Sequence, residues 1–298
     1  MMKLPRLRPE PMPAIHPLPE YMAEGERKRW YEEAKQVLQV PWMGVITMAY
    51  AHYPSFYETW WQGVRDLCAS RPFVEACLGN RTFIETKVLQ LNPPPIHDRL
   101  AGIGYAPREI DSIRQMIEVF SHGNQPYLVL ATLTRYLLEV GDVTGAVEPE
   151  AAPSFAGRHA PGVSVPFVLM EAHHADQPTR EVYEDVKRIL KLPFVNTDYR
   201  ALARWPSYWA MAWSDLRETA GAPAHEALCQ AFHERCVEQA TASLPNPGGL
   251  TGQALRGAAK RDAPLEEIRN MARLFQWLLP GLIVNIAYLR AQMLPDQG

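Results

Sequence analysis

Apolar residues return at three- and four-residue spacing through most of the chain, the period of a helix with one buried face. The pattern is clearest over Tyr31–Val40, Gly44–Ala51, Pro54–Leu67, Pro107–Phe120 and Pro126–Val140, and each stretch is predicted to be a helix. Three of them start at a proline, whose fixed φ suits the first turn and whose missing N–H would be unpaired there in any case. No convincing hairpin signal interrupts the series, so an all-α fold is expected. The most apolar run, LFQWLLPGLIVNIAYL from Leu274 to Leu289, is broken by Pro280 and falls short of the roughly 20 residues that span a bilayer. It reads as a buried helix.

The same pattern occurs twice. YEEAKQVLQVPWMGVITMAYAHYPSFYETWW, from Tyr31, aligns without a gap to YEDVKRILKLPFVNTDYRALARWPSYWAMAW, from Tyr183, a shift of 152 residues. About ten of these roughly thirty positions are identical, and Pro41 and Pro54 fall on Pro193 and Pro206. IRQMIEVF from Ile113 and IRNMARLF from Ile268 form a second matched pair. Between the copies, GDVTGAVEPEAAPSFAGRHAPGVSVP is rich in Gly, Pro and Ala, as a long connection is. The expected organisation is an extended proline-rich arm over residues 1–22, a first helical repeat over 23–140, a linker over 141–172 and a second repeat over 173–298. The two repeats are expected to pack with pseudo-symmetry as one domain.

Composition adds bounds. With 298 residues, 47% hydrophobic and 21% charged, and a net charge of −3, the chain suits a soluble globular protein with a sizeable core. Neither nucleic acid nor membrane is suggested as a partner. The N-terminal MMKLPRLRPEPMPAIHPLPE has basic residues but no continuous apolar core, so it does not read as a secretory leader. The four cysteines, Cys68, Cys77, Cys229 and Cys236, lack CxxC spacing and are too few for a disulfide scaffold, so reduced thiols and a cytoplasmic setting are expected. HEALCQAFHERC sets His225, Cys229, His233 and Cys236 on one helical face, yet its ends lie about 16 Å apart along the axis and cannot converge on one ion. An i, i+4 pair could still bind one, and an ordinary amphipathic face is the other reading.

Candidate chemistry enters through FVNTDYRALARWP, where Asp198 stands among apolar neighbours at a predicted helix start. The matching residue of the first copy is Ile46, so the fold does not require a carboxylate there. Asp198 either complements the helix dipole, a gain of about 0.3–1 kcal/mol, or serves a function that offsets its desolvation.

LPFVNTDYRALARWPSYW, the matching VPWMGVIT, HGNQPYLVL from His122 and the EAHH segment from Glu171 together resemble the group I 2-haloacid dehalogenases, over nearly the whole chain. The resemblance implies an all-helical fold of two repeats, commonly a homodimer, with the active site between the repeats and no cofactor or metal. It implies hydrolytic halide removal from a 2-haloalkanoic acid, the small-molecule partner, giving a 2-hydroxy acid and halide. Asp198 is then the base that takes the water's proton, and Asn124 the residue that positions the water. Trp42, Val45, Tyr127, Asn196, Thr197 and Trp277 are implied to line the substrate pocket, with Trp42 on the halide side. Val45 departs from a phenylalanine common in relatives, Thr197 from a serine, and GNQPY from GNPKY.

Several of these residues have plainer readings. Trp42 matches Phe194 and could be core, while Asn124 and Asn196 could each be an N-cap. His173 and His174, as neighbours on a helix, would diverge by about 100° and share no ligand. Arg200 is expected to point away from the substrate, whereas the backbone N–H groups of Thr197–Tyr199 offer an anion site. Asn196 carries the expectation of handedness: relatives that resemble one another in accepting both enantiomers have alanine there, and those restricted to the D enantiomer have asparagine. A D-specific enzyme that inverts configuration, turning D-2-chloropropionate into L-lactate, is therefore expected. An enzyme accepting both enantiomers, another hydrolase or lyase, and a non-catalytic helical protein binding small carboxylates are the alternatives.

Overall fold

A computed structural model describes residues 4–294; residues 1–3 of the arm and 295–298 of the second repeat lie outside the described residues. The described residues form twelve α-helices and no β-strand. In chain order they are α1 Gly25–Leu38, α2 Val45–Ala51, α3 Pro54–Cys68, α4 Arg71–Lys87, α5 His97–Gly102, α6 Pro107–Glu139, α7 Gln177–Leu190, α8 Thr197–Leu202, α9 Pro206–Thr219, α10 Pro223–Glu238, α11 Gly252–Asp262 and α12 Leu265–Gln292. The all-helical expectation is met.

Local chemistry sets many of the ends. α3 and α9 each begin at a proline. α7 and α11 are capped by Asp176 and Thr251, whose side chains accept from the N–H groups of Thr179 and Ala254 at 2.9 and 3.1 Å. α1 buries Trp30, Tyr31, Ala34 and Leu38, one helical stripe, and stops where Gln39 turns left-handed at φ 52°. α7 stops in the same way at Lys191, φ 55°, 152 residues on.

Other contacts recur at that spacing. Tyr31 Oη donates to the carbonyl of Leu18 at 2.9 Å and Tyr183 Oη to that of Met170 at 2.6 Å. Trp61 Nε1 donates to Glu33 and Trp213 Nε1 to Asp185, both at 2.9 Å.

The chain groups into two compact units, neither of which is one copy of the sequence pattern. Unit 1 takes the chain up to Asn80, then Gly123–Ala160 and Phe232–Pro280; unit 2 takes Arg81–His122, Pro161–Ala231 and the chain from Gly281 onward. Each unit thus draws on the early helices of one copy and the late helices of the other. In unit 1 the N-terminal arm is held down: Arg135 Nη1 donates to the carbonyl of Pro5 at 2.7 Å and Arg6 Nε to that of Trp277 at 3.1 Å.

Pro126 corrects an expected boundary, while the run through Pro280 is the buried helix it was read as. α6 runs through Pro126 for 33 residues and α12 through Pro280 for 28. An internal proline costs a helix about 3 kcal/mol or more. The middle of α6 is buried on every side from Val119 to Arg135, and this packing outweighs the lost bond. α12 is long and apolar enough to cross a bilayer, contrary to the length read from Leu274–Leu289, yet 83% of its most apolar window is buried within the protein.

Candidate active site

In unit 2, the segment after Lys191 leads to Asn196, which adopts an extended N-cap conformation at φ −61°, ψ 153°. α8 follows for six residues, with Thr197 first and Asp198 second. Asp198 is 3% exposed, the same as Ile46 at the matching place in unit 1. A carboxylate therefore occupies a position that the other copy fills with core isoleucine, and burying that charge is unfavourable by several kcal/mol unless its surroundings compensate.

The residues around Asp198 are tightly held. Tyr199 is fully buried and stacks on Trp209, with centroids 5.2 Å apart and planes 22° apart. Its hydroxyl accepts from Asn285 Nδ2 at 2.9 Å, and Asn285 Oδ1 meets His225 Nε2 at 2.8 Å. Burial pushes the Tyr199 phenol far above its ordinary range, and the neighbouring charge of Asp198 adds to the effect. Arg200 has a partner of its own, donating from Nη1 to both oxygens of Glu171 at 2.7 and 2.8 Å.

Asn196 corrects one reading. Although it stands at the N-cap, its side chain accepts no cap hydrogen bond, and its buried Oδ1 has no partner. An unpaired buried acceptor costs about 1–3 kcal/mol, so capping does not explain the asparagine.

Unit 1 gathers a second group. Tyr127, buried in α6, donates from its hydroxyl to the carbonyl of Trp42 and accepts from the N–H of Gly44, both at 2.9 Å. Burial pushes its phenol well above the ordinary value, so the group stays a neutral hydroxyl able to do both. The Trp42 and Tyr127 rings meet edge-on at 6.0 Å. Gly123 makes this possible, since a Cβ there would lie 2.3 Å from Trp42 Cη2. Asn124 follows Gly123, is 3% exposed, and lies in the middle of α6. It is therefore no N-cap, because the helix does not restart at Pro126.

Val45, the first residue of α2, is half-buried, as is Trp277 of α12, whose ring lies 5.9 Å from the Arg8 guanidinium carbon. Trp42, Tyr127 and the neighbouring Asn124 are thus brought together in unit 1, and Asn196, Thr197 and Asp198 in unit 2.

The two histidines of the α10 face have protein partners. His225 meets Asn285, and His233 Nε2 lies 2.7 Å from the carbonyl of Leu4. Among the described residues no three His, Cys, Asp or Glu side chains form a group able to hold a metal. His173 and His174 lie in a turn, not a helix, with ring centroids 4.0 Å apart. The Glu171–Arg200 pair and the Tyr199–Asn285–His225 chain were not anticipated from the sequence. Polar residues inside apolar helices, such as Asn285 in LIVNIAYL, were their available signal.

No family model matches the chain. A curated relative from Rhizobium sp. (strain NHG3), named (R)-2-haloacid dehalogenase, is 44% identical over 262 residues, covering 87% of this chain and 100% of the relative. Two solved structures superpose closely. "The complex structure of D-2-haloacid dehalogenase with L-LA" has a TM-score of 0.86 at 31% identity and covers 98% of this chain and 100% of its own. "The complex structure of D-2-haloacid dehalogenase mutant with D-2-CPA" has a TM-score of 0.85 at 30% identity, with 99% and 100% covered. Identity at this level along the whole of a relative places the chain in a family: it belongs to the (R)-2-haloacid dehalogenases.

Proposed function

We propose that this chain hydrolyses D-2-haloalkanoic acids to L-2-hydroxy acids, releasing halide and a proton. Asp198 accepts the proton of a water molecule as the water's oxygen attacks the halogen-bearing carbon opposite the departing halide. The carbon–oxygen bond forms as the carbon–halogen bond breaks, and attack from the far side inverts the centre. Asn124 is assigned to orient that water, since an ionised carboxylate accepts hydrogen bonds but donates none.

The observation that carries this reading is the buried Asp198 where the matching position holds Ile46, both 3% exposed. The matching position shows that the fold itself does not call for a carboxylate there, and a catalytic role accounts for its presence. The relatives support the substrate class, and the two complexes pair a D-configured molecule with one and an L-configured molecule with the other. The test is halide release from pure D- and L-2-chloropropionate with chiral analysis of the product. Chloride from the D enantiomer together with L-lactate is the expected result; no chloride from either enantiomer overturns the proposal.

A further inference from the structure

The two copies supply an internal comparison for the turn that carries Asp198. In both, the same backbone join secures the short helix: Leu18 N–H donates to the carbonyl of Met48, and Met170 N–H to that of Arg200, each at 2.9 Å. The side chains around that join differ. Where the first copy has Pro19, Val45 and Met48, the second has Glu171, Thr197 and Arg200. The join forms with apolar residues at all three of these places in the first copy, so the polar set in the second copy answers to something other than folding.

That set is a directed chain. Arg200 Nη1 is held by both oxygens of Glu171, at 2.7 and 2.8 Å, and Nη2 donates to Thr197 Oγ1 at 3.3 Å. A guanidinium only donates, so Thr197 Oγ1 accepts here and its own proton is available for another acceptor. Among the described residues the Thr197 hydroxyl donates to none. It is a buried side chain, 7% exposed, immediately before Asp198. Arg200 Nε is buried without a partner, so the two terminal nitrogens carry all the hydrogen bonds of the guanidinium.

We propose that Arg200 is a positioning residue for substrate binding: its donation to Oγ1 fixes the Thr197 hydroxyl as a donor to the carboxylate of the bound 2-haloacid, and Glu171 holds the guanidinium in place. This rests on the function proposed above. Pairing with Glu171 neutralises the arginine, so its effect on the substrate passes through the orientation of Thr197 and not through its own charge.

The experiment is a double-mutant cycle read on KM and kcat for chloride release from D-2-chloropropionate, with Thr197→Val, Arg200→Met, the double variant and Arg200→Lys. Valine and methionine are the residues that the first copy already accommodates at these places. Thr197→Val and Arg200→Met should each raise KM about tenfold, the scale of one hydrogen bond to a charged group, with kcat within about threefold of wild type. The double variant should be no worse than Thr197→Val alone, and Arg200→Lys should recover part of the loss. If Arg200→Met does not fold, Arg200→Lys in the Thr197→Val background completes the same cycle. An unchanged KM in an active Arg200 variant, or losses that multiply in the double variant, overturns the role of Arg200 while leaving the function standing. Wild-type protein that releases no chloride overturns both.

Discussion

Gln276 and His233 face each other at 2.5 Å, amide nitrogen to Nδ1, deep in unit 1. Arg135 Nη1 donates to Gln276 Oε1 at 2.5 Å, which turns the Gln276 amide nitrogen toward the histidine. His233 Nδ1 must then accept, so the ring is neutral, with its proton on Nε2 donated to the carbonyl of Leu4 at 2.7 Å. A second ring proton would confront the Gln276 N–H.

Burial, reinforced by the charges of Arg6 and Arg135, lowers the His233 pKa from 6.5 to about 4. A base whose folded pKa is depressed gains protons more readily when unfolded, so its contribution is complete above about pH 6.5 and is lost as pH falls toward 4. This group should cost the fold about 2 kcal/mol between pH 7 and pH 5. Urea denaturation of wild type and His233→Gln at the two pH values measures it. Equal pH sensitivity in both proteins would show that His233 is not the source.

Tyr127 makes two buried hydrogen bonds to the backbone that carries Trp42 and Gly44. Tyr127→Phe keeps the ring contact with Trp42 but leaves a buried N–H and a buried carbonyl without their partner. A loss of about 2–4 kcal/mol in unfolding free energy is expected. A change under about 0.5 kcal/mol would mean that water takes over both bonds.

Asp198→Asn preserves the size of the side chain and removes its ability to take a proton. Turnover should fall by about two to four orders of magnitude, with the fold retained. In ¹⁸O-labelled water, one turnover by excess wild-type enzyme should deliver the label directly into the hydroxy acid. Unlabelled product would assign Asp198 as a nucleophile forming an ester instead of a base.

Asn196 fills space at the N-terminus of α8 without capping it. Asn196→Ala should raise turnover of L-2-chloropropionate from near zero while changing D turnover modestly. Comparable rates on both enantiomers in the wild-type protein would remove the basis for handedness, whatever the variant does.

Periodicity was enough to place α1, α2 and α3, and the repeat to place their counterparts, because each depends on which neighbours share a face three or four residues away. α1 and α7, α2 and α8, and α3 and α9 all start 152 residues apart, as the aligned stretches imply. The contrast of Asp198 with Ile46 was also legible, since it needs only two aligned positions. Whether Pro126 ends a helix was not legible, because the answer depends on the burial that surrounds α6 and not on the proline's own preference. Asn124 passed from a possible cap to the middle of a helix for that reason. The state of Asn196 was decided the same way: cap-forming sequence placed it at the helix start, and packing left its side chain without the cap bond. Glu171 reaches Arg200 across 29 residues and His233 reaches Gln276 across 43. Local preference acts over a few residues, whereas a buried polar group takes its partner from whatever the tertiary packing brings within hydrogen-bonding distance.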